Sequence, residues 1–398
     1  MDIFLTRQPI FDRFQRVFAY DLRFHAGFGD LYRNPDWDDA SNTAITLSLL
    51  SSRLGTITCG KPGHIRFSRS MLDQELYTLF PKEHIAVELQ HPGDGIPEVV
   101  SACQRLKTAG YVLVVDITGM SKPVNEIIEL SDIIKTGLTS GLKGGYDAVK
   151  GPKLLAGNVN TVSLLDKARQ KGFDYFQGDF YRNPDIKSGS GVPFQKLNHL
   201  LLLQEINSPD LTFEKLASII KRDVGLSYKL MRFINSAYFG FASEVRSLRH
   251  ALALLGIFSI KQWLSKETLN QLGQNKPDEL VNRCVIRARF CELLTQKAGM
   301  ADRSSEMFLT GLFSLLDAFL DQELAEILDN LPVSDEIKNT LLKEPSVFND
   351  LYQLMLAYED GRWPEVMTLA QQTGIPASEL PLLYLRSLEW SQGMFHDA

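Results

Sequence analysis

Cysteine is scarce in this sequence, with four in 398 residues, at positions 59, 103, 284 and 291. No two form a Cys-x-x-Cys pair, so we expect buried thiols in a reducing cytosol rather than disulfides or a structural zinc site. No run of about 18 apolar residues is present, which argues against a transmembrane helix. The first residues, MDIFLTR, lack a basic segment followed by an apolar core, so no secretory signal is expected. These absences together predict a cytoplasmic protein without membrane partners.

Charge is distributed unevenly along the chain, although the net charge is only −6. Residues 1–195 carry no net charge, residues 196–299 carry +6 and residues 300–398 carry −12. Such blocks can be complementary faces of one folded unit, or an exposed patch that steers a charged partner. Because the whole chain is acidic, nucleic acid is not expected as a partner.

Short apolar runs alternate with amphipathic segments in the first half of the chain. The clearest predicted strands are Ile85–Leu89, Tyr111–Val115, Ile133–Lys135 and Lys153–Ala156. Buried parallel strands have continuous apolar runs of this kind. Predicted helices lie between them, at Glu98–Ala109 and Thr161–Lys171, and each is followed by a glycine suited to a helix end. Repeated strand–helix units predict a (β/α) barrel or a doubly wound sheet.

The second half of the chain has a different pattern. Residues 184–195 are rich in Gly, Ser and Pro, which predicts a linker. After the linker, helical periodicity dominates: Thr212 or Asp210 is suited to cap a helix that carries Leu216, Ile219 and Ile220 on one face. We therefore predict a barrel domain over 1–183, a linker over 184–195 and an all-helical domain over 196–398.

Several phrases along the chain resemble an EAL domain joined to an HDOD domain, in the order expected for that two-domain signalling family. The opening resembles the start of an EAL barrel at RQPIFD (7–12) and VFAYDL (17–22). The HDOD-like phrases are IIKRD (219–223), LSYKL (226–230), NSAYFG (235–240) and RHALALLG (249–256). Two later segments, FLTGLFSLLD (308–317) and YEDGRW (358–363), are also similar to the family. The resemblance implies α/β plus all-α architecture, with a TIM-type barrel followed by a helical HDOD domain.

For the EAL domain, the resemblance implies hydrolysis of cyclic di-GMP, with two divalent cations at the carboxyl ends of the barrel strands. Hard cations prefer oxygen ligands, and a metal pair can generate hydroxide and clamp the scissile phosphate. Six family positions survive in some form here: Asp21, Leu22, Glu88, Asp116, Lys135 and Gln177. Asp21 is a shorter carboxylate than the Glu of the family motif.

Six other positions depart from the family pattern, and they are His25, Arg66, Ile117, Gly137, Gly157 and Asn160. The family has an Asn ligand at Arg66, the second Asp of a metal-bridging pair at Ile117, and a Glu at Gly157. These changes leave too few oxygens for two cations. We therefore predict no bound metal, no cofactor and no catalytic residue. An alternative role for the surviving carboxylates is purely structural, with Lys135 as their salt-bridge partner.

HDOD domains resemble HD phosphohydrolases but lack the His-Asp metal doublet. The corresponding segment here contains Ser314 and Leu315, neither of which is a credible metal ligand in this setting. His250 is expected to be a packed or capping histidine, and the Asn235 amide is expected to tie backbone groups at a turn.

The sequence thus predicts a catalytically inactive scaffold or regulator of a cyclic di-GMP-related pathway, which acts through contacts with other signalling proteins. Three alternatives remain open: a cyclic di-GMP receptor without turnover, a working phosphodiesterase and a nucleic-acid regulator. The protein partner is not identified by the sequence, and homodimer formation is left open.

Overall fold

The structure, a computed structural model of the chain, describes residues 3–26, 40–90, 96–118, 125–138, 151–186, 199, 201–203, 205–206, 211–235, 245, 247–329, 331 and 333–395. It divides the chain into two compact units. The first contains Met1–Asn183 and Gln353–Leu385, and the second contains Pro184–Tyr352 and Arg386–Ala398. Most of the predicted linker, from residue 187 onward, lies outside the described residues.

Eight strands form a closed barrel in the first unit, in chain order. They are β1 (Ile3–Phe11), β2 (Val17–Ala26), β3 (Gly63–Phe67), β4 (Ile85–Gln90), β5 (Val112–Asp116), β6 (Ile133–Gly137), β7 (Lys153–Gly157) and β8 (Tyr175–Gln177). Neighbouring strands from β2 to β8 are parallel, whereas β1 is antiparallel to both β2 and β8. The predicted barrel is confirmed, with its first strand reversed.

The reversal of β1 follows from a tight turn between β1 and β2. The Asp12 carboxylate accepts hydrogen bonds from the backbone N–H groups of Phe14 and Arg16 at 2.8 and 2.9 Å. Such a side-chain-to-backbone arrangement favours a turn over continued strand. Because the turn is short, β2 returns beside β1 as a hairpin instead of crossing over through a helix.

Five helices of the barrel unit connect its later strands: α1 (Ala40–Ile57), α2 (Arg69–Asp73), α3 (Ile96–Thr108), α4 (Asn125–Leu130) and α5 (Val162–Gln170). A short 3₁₀ helix covers Leu76–Leu79. The barrel interior is filled by a layer of small and branched apolar side chains, namely Ile10, Ala19, Ala86, Val114, Ile133 and Leu155. Since side chains alternate along a strand, the residues two positions further on also face the interior, nearer the carboxyl ends of the parallel strands.

The C-terminal segment Gln353–Leu385 belongs to the barrel unit, although the sequence pattern assigned it to the helical domain. Trp363 packs edge-on against Phe4 of β1, with 5.5 Å between ring centroids, and against Tyr358 at 5.4 Å. Asp360 accepts a hydrogen bond from Arg182 at 3.1 Å. Two segments that are far apart in the sequence, Met1–Asn183 and Gln353–Leu385, therefore build one folded unit.

The second half of the chain is helical, as predicted. Its helices are α6 (Phe213–Arg222), α7 (Val224–Ile234), α8 (Leu248–Leu272), α9 (Asp278–Lys297), α10 (Ser304–Phe313), α11 (Leu316–Leu320), α12 (Leu324–Asp329), α13 (Asp335–Leu342), α14 (Asn349–Asp360), α15 (Trp363–Thr373) and α16 (Leu380–Phe395). Of these, α15 lies wholly, and α14 and α16 lie partly, in the segment Gln353–Leu385. Thr212 caps α6 as expected, by accepting a hydrogen bond from the Lys215 backbone.

The core of the helical unit lies between α6, α7 and α8. The predicted stripe of Leu216, Ile219 and Ile220 is buried there against Leu230 and Trp263. In a second contact, α9 and α10 approach closely at Gly311, where a Cβ atom would lie 2.5 Å from the Arg287 carbonyl oxygen. Only glycine permits this approach without a shift of the backbone.

None of the four cysteines forms a disulfide, and three of them, Cys103, Cys284 and Cys291, are buried. Within the described residues, no helix is long and apolar enough to cross a membrane.

Candidate functional site

A charged cluster lies in the barrel interior, at the carboxyl ends of the parallel strands. Four of its members come from separate strands: Asp21 on β2, Glu88 on β4, Asp116 on β5 and Lys135 on β6. Each of the last three follows an interior apolar residue, Ala86, Val114 or Ile133, by two positions. Strand alternation therefore directs all of these side chains into the same layer.

Lys135 lies at the centre of the cluster. Its ammonium nitrogen is 3.1 Å from each oxygen of the Glu88 carboxylate, 3.6 Å from Asp21 Oδ2 and 3.9 Å from Asp116 Oδ2. All four residues are buried, with Glu88 only 1% exposed. Lys135 thus contacts all three carboxylates, which burial would leave at high energy if they had no nearby cation.

Two arginines contact the same carboxylates from a more exposed position. Arg66 on β3 donates to Glu88 Oε1 at 3.2 Å, and Arg23 on β2 lies 3.6 Å from Asp21 Oδ2. With Lys135 they supply three positive charges against three carboxylates, so the cluster is formally neutral. Arg66 reaches Glu88 because β3 and β4 are adjacent and parallel, with these two residues in register.

Gln177, the last residue of β8, is a further polar member of the cluster. Its side-chain amide donates to Asp21 Oδ2 at 2.6 Å and to Gln8 Oε1 at 2.8 Å. The next residue, Gly178, has φ of +156°, and a Cβ atom there would lie 2.2 Å from the Val159 carbonyl oxygen. Glycine at this position lets the chain leave β8 directly beneath the loop that follows β7.

Burial and charge act against each other in the pKa values of the cluster. Burial favours neutral Asp21, but Lys135 and Arg23 outweigh it, so the pKa of Asp21 is lowered. Burial also opposes the charged form of Lys135, but the surrounding carboxylates outweigh it and raise the pKa of Lys135. For Glu88 burial dominates, and its pKa is raised despite the contact with Lys135.

The positions that were predicted to depart from the family pattern provide few ligand atoms at this site. Ile117 is buried and apolar, while Gly137 and Gly157 have no side chains. Asn160 has a structural use, since its side-chain oxygen accepts a hydrogen bond from the Asp179 backbone at 3.2 Å. Leu22 is packed in the core on β2, and His25 lies near the end of that strand. Within the part of the chain that the structure describes, no group of three or more His, Cys, Asp or Glu residues is placed to hold a metal ion.

His64 is a member of the barrel interior that sequence reasoning missed. It lies on β3, paired with Asp21 on one side and Ala86 on the other, and is 1% exposed. Neither ring nitrogen of His64 has a hydrogen-bond partner among the described residues. Burial lowers the pKa of His64 to about 4, so the imidazole is neutral at pH 7. His64 and Arg66 lie two residues apart on β3 and therefore face the same side of the strand. That spacing could have identified His64 as an interior residue.

The segment of the helical unit that corresponds to the HD doublet contains no metal-ligand pair. Ser314 accepts a hydrogen bond from buried Arg287 at 3.0 Å. His250 is exposed, and its backbone N–H is capped by Ser247. The predicted role of Asn235 is confirmed, because its amide group bonds the Met231 carbonyl and both backbone groups of Val245.

Comparisons with known proteins agree with this two-part organisation. Residues 196–326 match the HDOD domain family. The chain is 29% identical to the uncharacterized protein YuxH of Bacillus subtilis over 99% of both chains. It is 26% identical to the cyclic di-GMP phosphodiesterase CdgJ of Vibrio cholerae, over 98% of this chain and 92% of that relative.

Among solved structures, the chain is similar to the PaMucR phosphodiesterase in complex with c-di-GMP. The two are 12% identical with a TM-score of 0.36, over 50% of this chain and 100% of that chain. A standalone EAL protein from Vibrio cholerae O395 is 16% identical, with a TM-score of 0.35 over 45% of this chain and 91% of that chain. The chain thus combines a closed eight-stranded barrel with a helical part in which residues 196–326 match the HDOD domain family.

Proposed function

We propose that this protein is a regulator in a cyclic di-GMP pathway whose barrel does not hydrolyse the dinucleotide, and that it acts through contacts with other signalling proteins. The relation to a named cyclic di-GMP phosphodiesterase over almost the whole chain supports the pathway. The residue at position 66 carries the proposal of inactivity. Arg66 places its guanidinium 3.2 Å from Glu88 Oε1, where the family resemblance implies a neutral Asn ligand.

The family's two divalent cations do not fit this donor set. Arg66 places a guanidinium against Glu88, so a cation there would meet positive charge instead of a neutral ligand. Ile117 and Gly157 supply no oxygen, although two cations need several carboxylate or amide oxygens between them. The remaining acids are already compensated by Lys135, Arg23 and Arg66, which removes the charge that would attract a metal ion.

Hydrolysis of cyclic di-GMP by the purified full chain, with Mn²⁺ or Mg²⁺, tests the proposal directly. We expect no metal-dependent product from the wild-type chain. The matched variant replaces Arg66→Asn, Ile117→Asp and Gly157→Glu together. Among the described residues, a Cβ atom at position 157 would have the Thr136 carbonyl oxygen, at 3.8 Å, as its one contact within 4 Å, so the new side chain starts without a clash.

Metal binding or turnover gained only by this triple variant would support the loss of ligands as the reason for inactivity. Metal-dependent hydrolysis by the wild-type chain that disappears in Lys135→Ala would overturn the proposal. Circular dichroism of each variant separates loss of activity from loss of folding.

A second candidate is a cyclic di-GMP receptor without turnover. Glu88, Asp116, Lys135 and Gln177 retain their family identities, and the Arg66 side chain at the site is 42% exposed. Titration calorimetry of cyclic di-GMP into the chain distinguishes the candidates. Saturable binding that is weakened by Gln177→Ala, without product formation, would favour the receptor; no heat at high micromolar ligand would leave the regulator that acts through protein contacts.

A further inference from the structure

A pocket in the helical unit lies far along the chain from the barrel cluster and within the HDOD-matched residues. It has a volume of about 540 Å³, within the range of ~300–1,000 Å³ that is typical of small-molecule sites. Helix α6 forms one wall, and Leu252 of α8 contributes to the lining. The lining residues are Phe213, Glu214, Ala217, Ser218, Lys221, Arg222 and Leu252.

The spacing of these residues on α6 explains the composition of the wall. Phe213, Ala217 and Lys221 follow one another at four-residue intervals and form one row along the helix. Glu214, Ser218 and Arg222 form the neighbouring row at the same interval. The row of Glu214, Ser218 and Arg222 is therefore polar along its length. The other row begins with two apolar residues, and each row ends in a cation.

The base of the pocket is the edge of a hydrophobic core. Leu252 is 1% exposed and belongs to the core between α6, α7 and α8, while Phe213 and Ala217 are partly buried and pack against that core. A ligand in the pocket would therefore meet an apolar surface at one end. Such a surface favours a planar or apolar body over a fully hydrated ion.

The other end of the pocket is positively charged. Lys221 and Arg222 are exposed, and neither forms an ion pair with a described residue. The neighbouring acid, Asp223, instead caps α7 by accepting a hydrogen bond from the Leu226 backbone at 3.0 Å. Cations are favoured at a helix C-terminus in general, but here two of them border a pocket whose described lining contains one carboxylate, Glu214.

We propose that this pocket binds a phosphorylated small molecule with a planar body, such as a mononucleotide. Lys221 and Arg222 would contact the phosphate, because a guanidinium and an ammonium both form charge-assisted hydrogen bonds to phosphate oxygens. The planar body would pack on Phe213, Ala217 and Leu252, and Ser218 and Glu214 would bond its hydroxyl or amino groups. This site is independent of the function proposed for the barrel.

Titration calorimetry of GMP and AMP into the full chain, with inorganic phosphate in parallel, tests the proposal. We expect saturable nucleotide binding that is stronger than phosphate binding. The double variant Lys221→Glu/Arg222→Glu should weaken it at least about tenfold, as expected when charge-assisted hydrogen bonds are lost. Ala217→Phe, which fills the pocket without changing charge, should weaken it as well.

Lys215→Glu is the matched control, since Lys215 is an exposed cation on the same helix that does not line the pocket. Nucleotide binding retained in this variant and lost in the two pocket variants would support the site. The proposal would be overturned by no binding at millimolar nucleotide, by equal affinity for nucleotide and inorganic phosphate, or by equal weakening in Lys215→Glu. Binding of an acidic peptide in place of the nucleotides would also overturn the proposed ligand class. Loss of nucleotide binding in Glu88→Gln alone would assign it to the barrel.

Discussion

Replacement of Lys135 by methionine should destabilise the barrel more than any exposed lysine change. The substitution preserves most of the side-chain volume but removes the ammonium group that lies 3.1 Å from both Glu88 oxygens and within 4 Å of Asp21 and Asp116. Only Arg66 and Arg23, whose side chains are 42% and 59% exposed, then remain to compensate the carboxylates. Breaking a buried ion pair typically costs about 3–5 kcal/mol, and we expect a loss of that size at pH 7.

The loss should depend on pH in a defined direction. Burial raises the pKa of Glu88, so the folded state holds a proton there more readily than the unfolded chain. Ionised Glu88 therefore opposes folding, and without Lys135 this opposition grows. As the pH falls towards the pKa of Glu88, the carboxyl becomes neutral and part of the lost stability should return.

Urea denaturation of the wild type and the variant, followed by circular dichroism from pH 5 to pH 8, measures both effects. The matched control is Lys153→Met on the next strand, where the lysine side chain is 57% exposed and lies 3.4 Å from Asp174. An exposed pair of this kind contributes about 0–1 kcal/mol. A loss for Lys135→Met no greater than that of the control, or one that does not change with pH, would refute a buried cluster held together by Lys135.

Three further substitutions test other parts of the barrel unit by the same denaturation assay. Because burial lowers the pKa of His64 from 6.5 to about 4, wild-type stability should fall by up to ~3 kcal/mol as the pH drops through that window, and His64→Leu should remove that part of the slope. Trp363→Ala should cost about 3–5 kcal/mol through loss of its packing on β1, whereas Leu382→Ala, at a residue 48% exposed, should cost under about 0.5 kcal/mol. Gly178→Ala should destabilise by more than about 1 kcal/mol, since its Cβ would lie 2.2 Å from the Val159 carbonyl oxygen; a neutral effect would mean that this loop moves freely.

Local sequence pattern predicted four of the eight barrel strands, but it did not predict the reversed first strand or the packing of the C-terminal segment against the barrel. The runs around Val87, Val114 and Ile134 are apolar on both faces, which distinguishes strands buried between a barrel interior and surrounding helices. The reversal of β1 depends on a turn set by Asp12, and the position of Trp363 depends on packing against a residue at the other end of the chain. Neither local propensity nor periodicity contains information about that distant contact.

The members of the charged cluster could be predicted from the sequence, but the contacts that Arg66 and Arg23 make with its carboxylates could not. Carboxyl ends of parallel strands meet at one end of a barrel, so Glu88, Asp116 and Lys135 were expected together. The bond from Arg66 to Glu88 requires the register of β3 against β4, which is a property of the closed sheet. His64 was missed because its two-residue spacing from Arg66 on β3, the signal for a shared face, covers only one pair of residues.

The placement of Gln353–Leu385 in the barrel unit has a consequence for synthesis of the protein. Phe4 leaves the ribosome long before Trp363, yet the two rings pack together. Domains usually fold as units in order of synthesis, from the N-terminus. Here the barrel would stay incomplete, with the start of β1 uncovered, until the helical residues up to Trp363 had been synthesised. Contacts between such distant residues slow folding because a long loop must close before they form, so the late C-terminal helices would determine when the N-terminal barrel is complete.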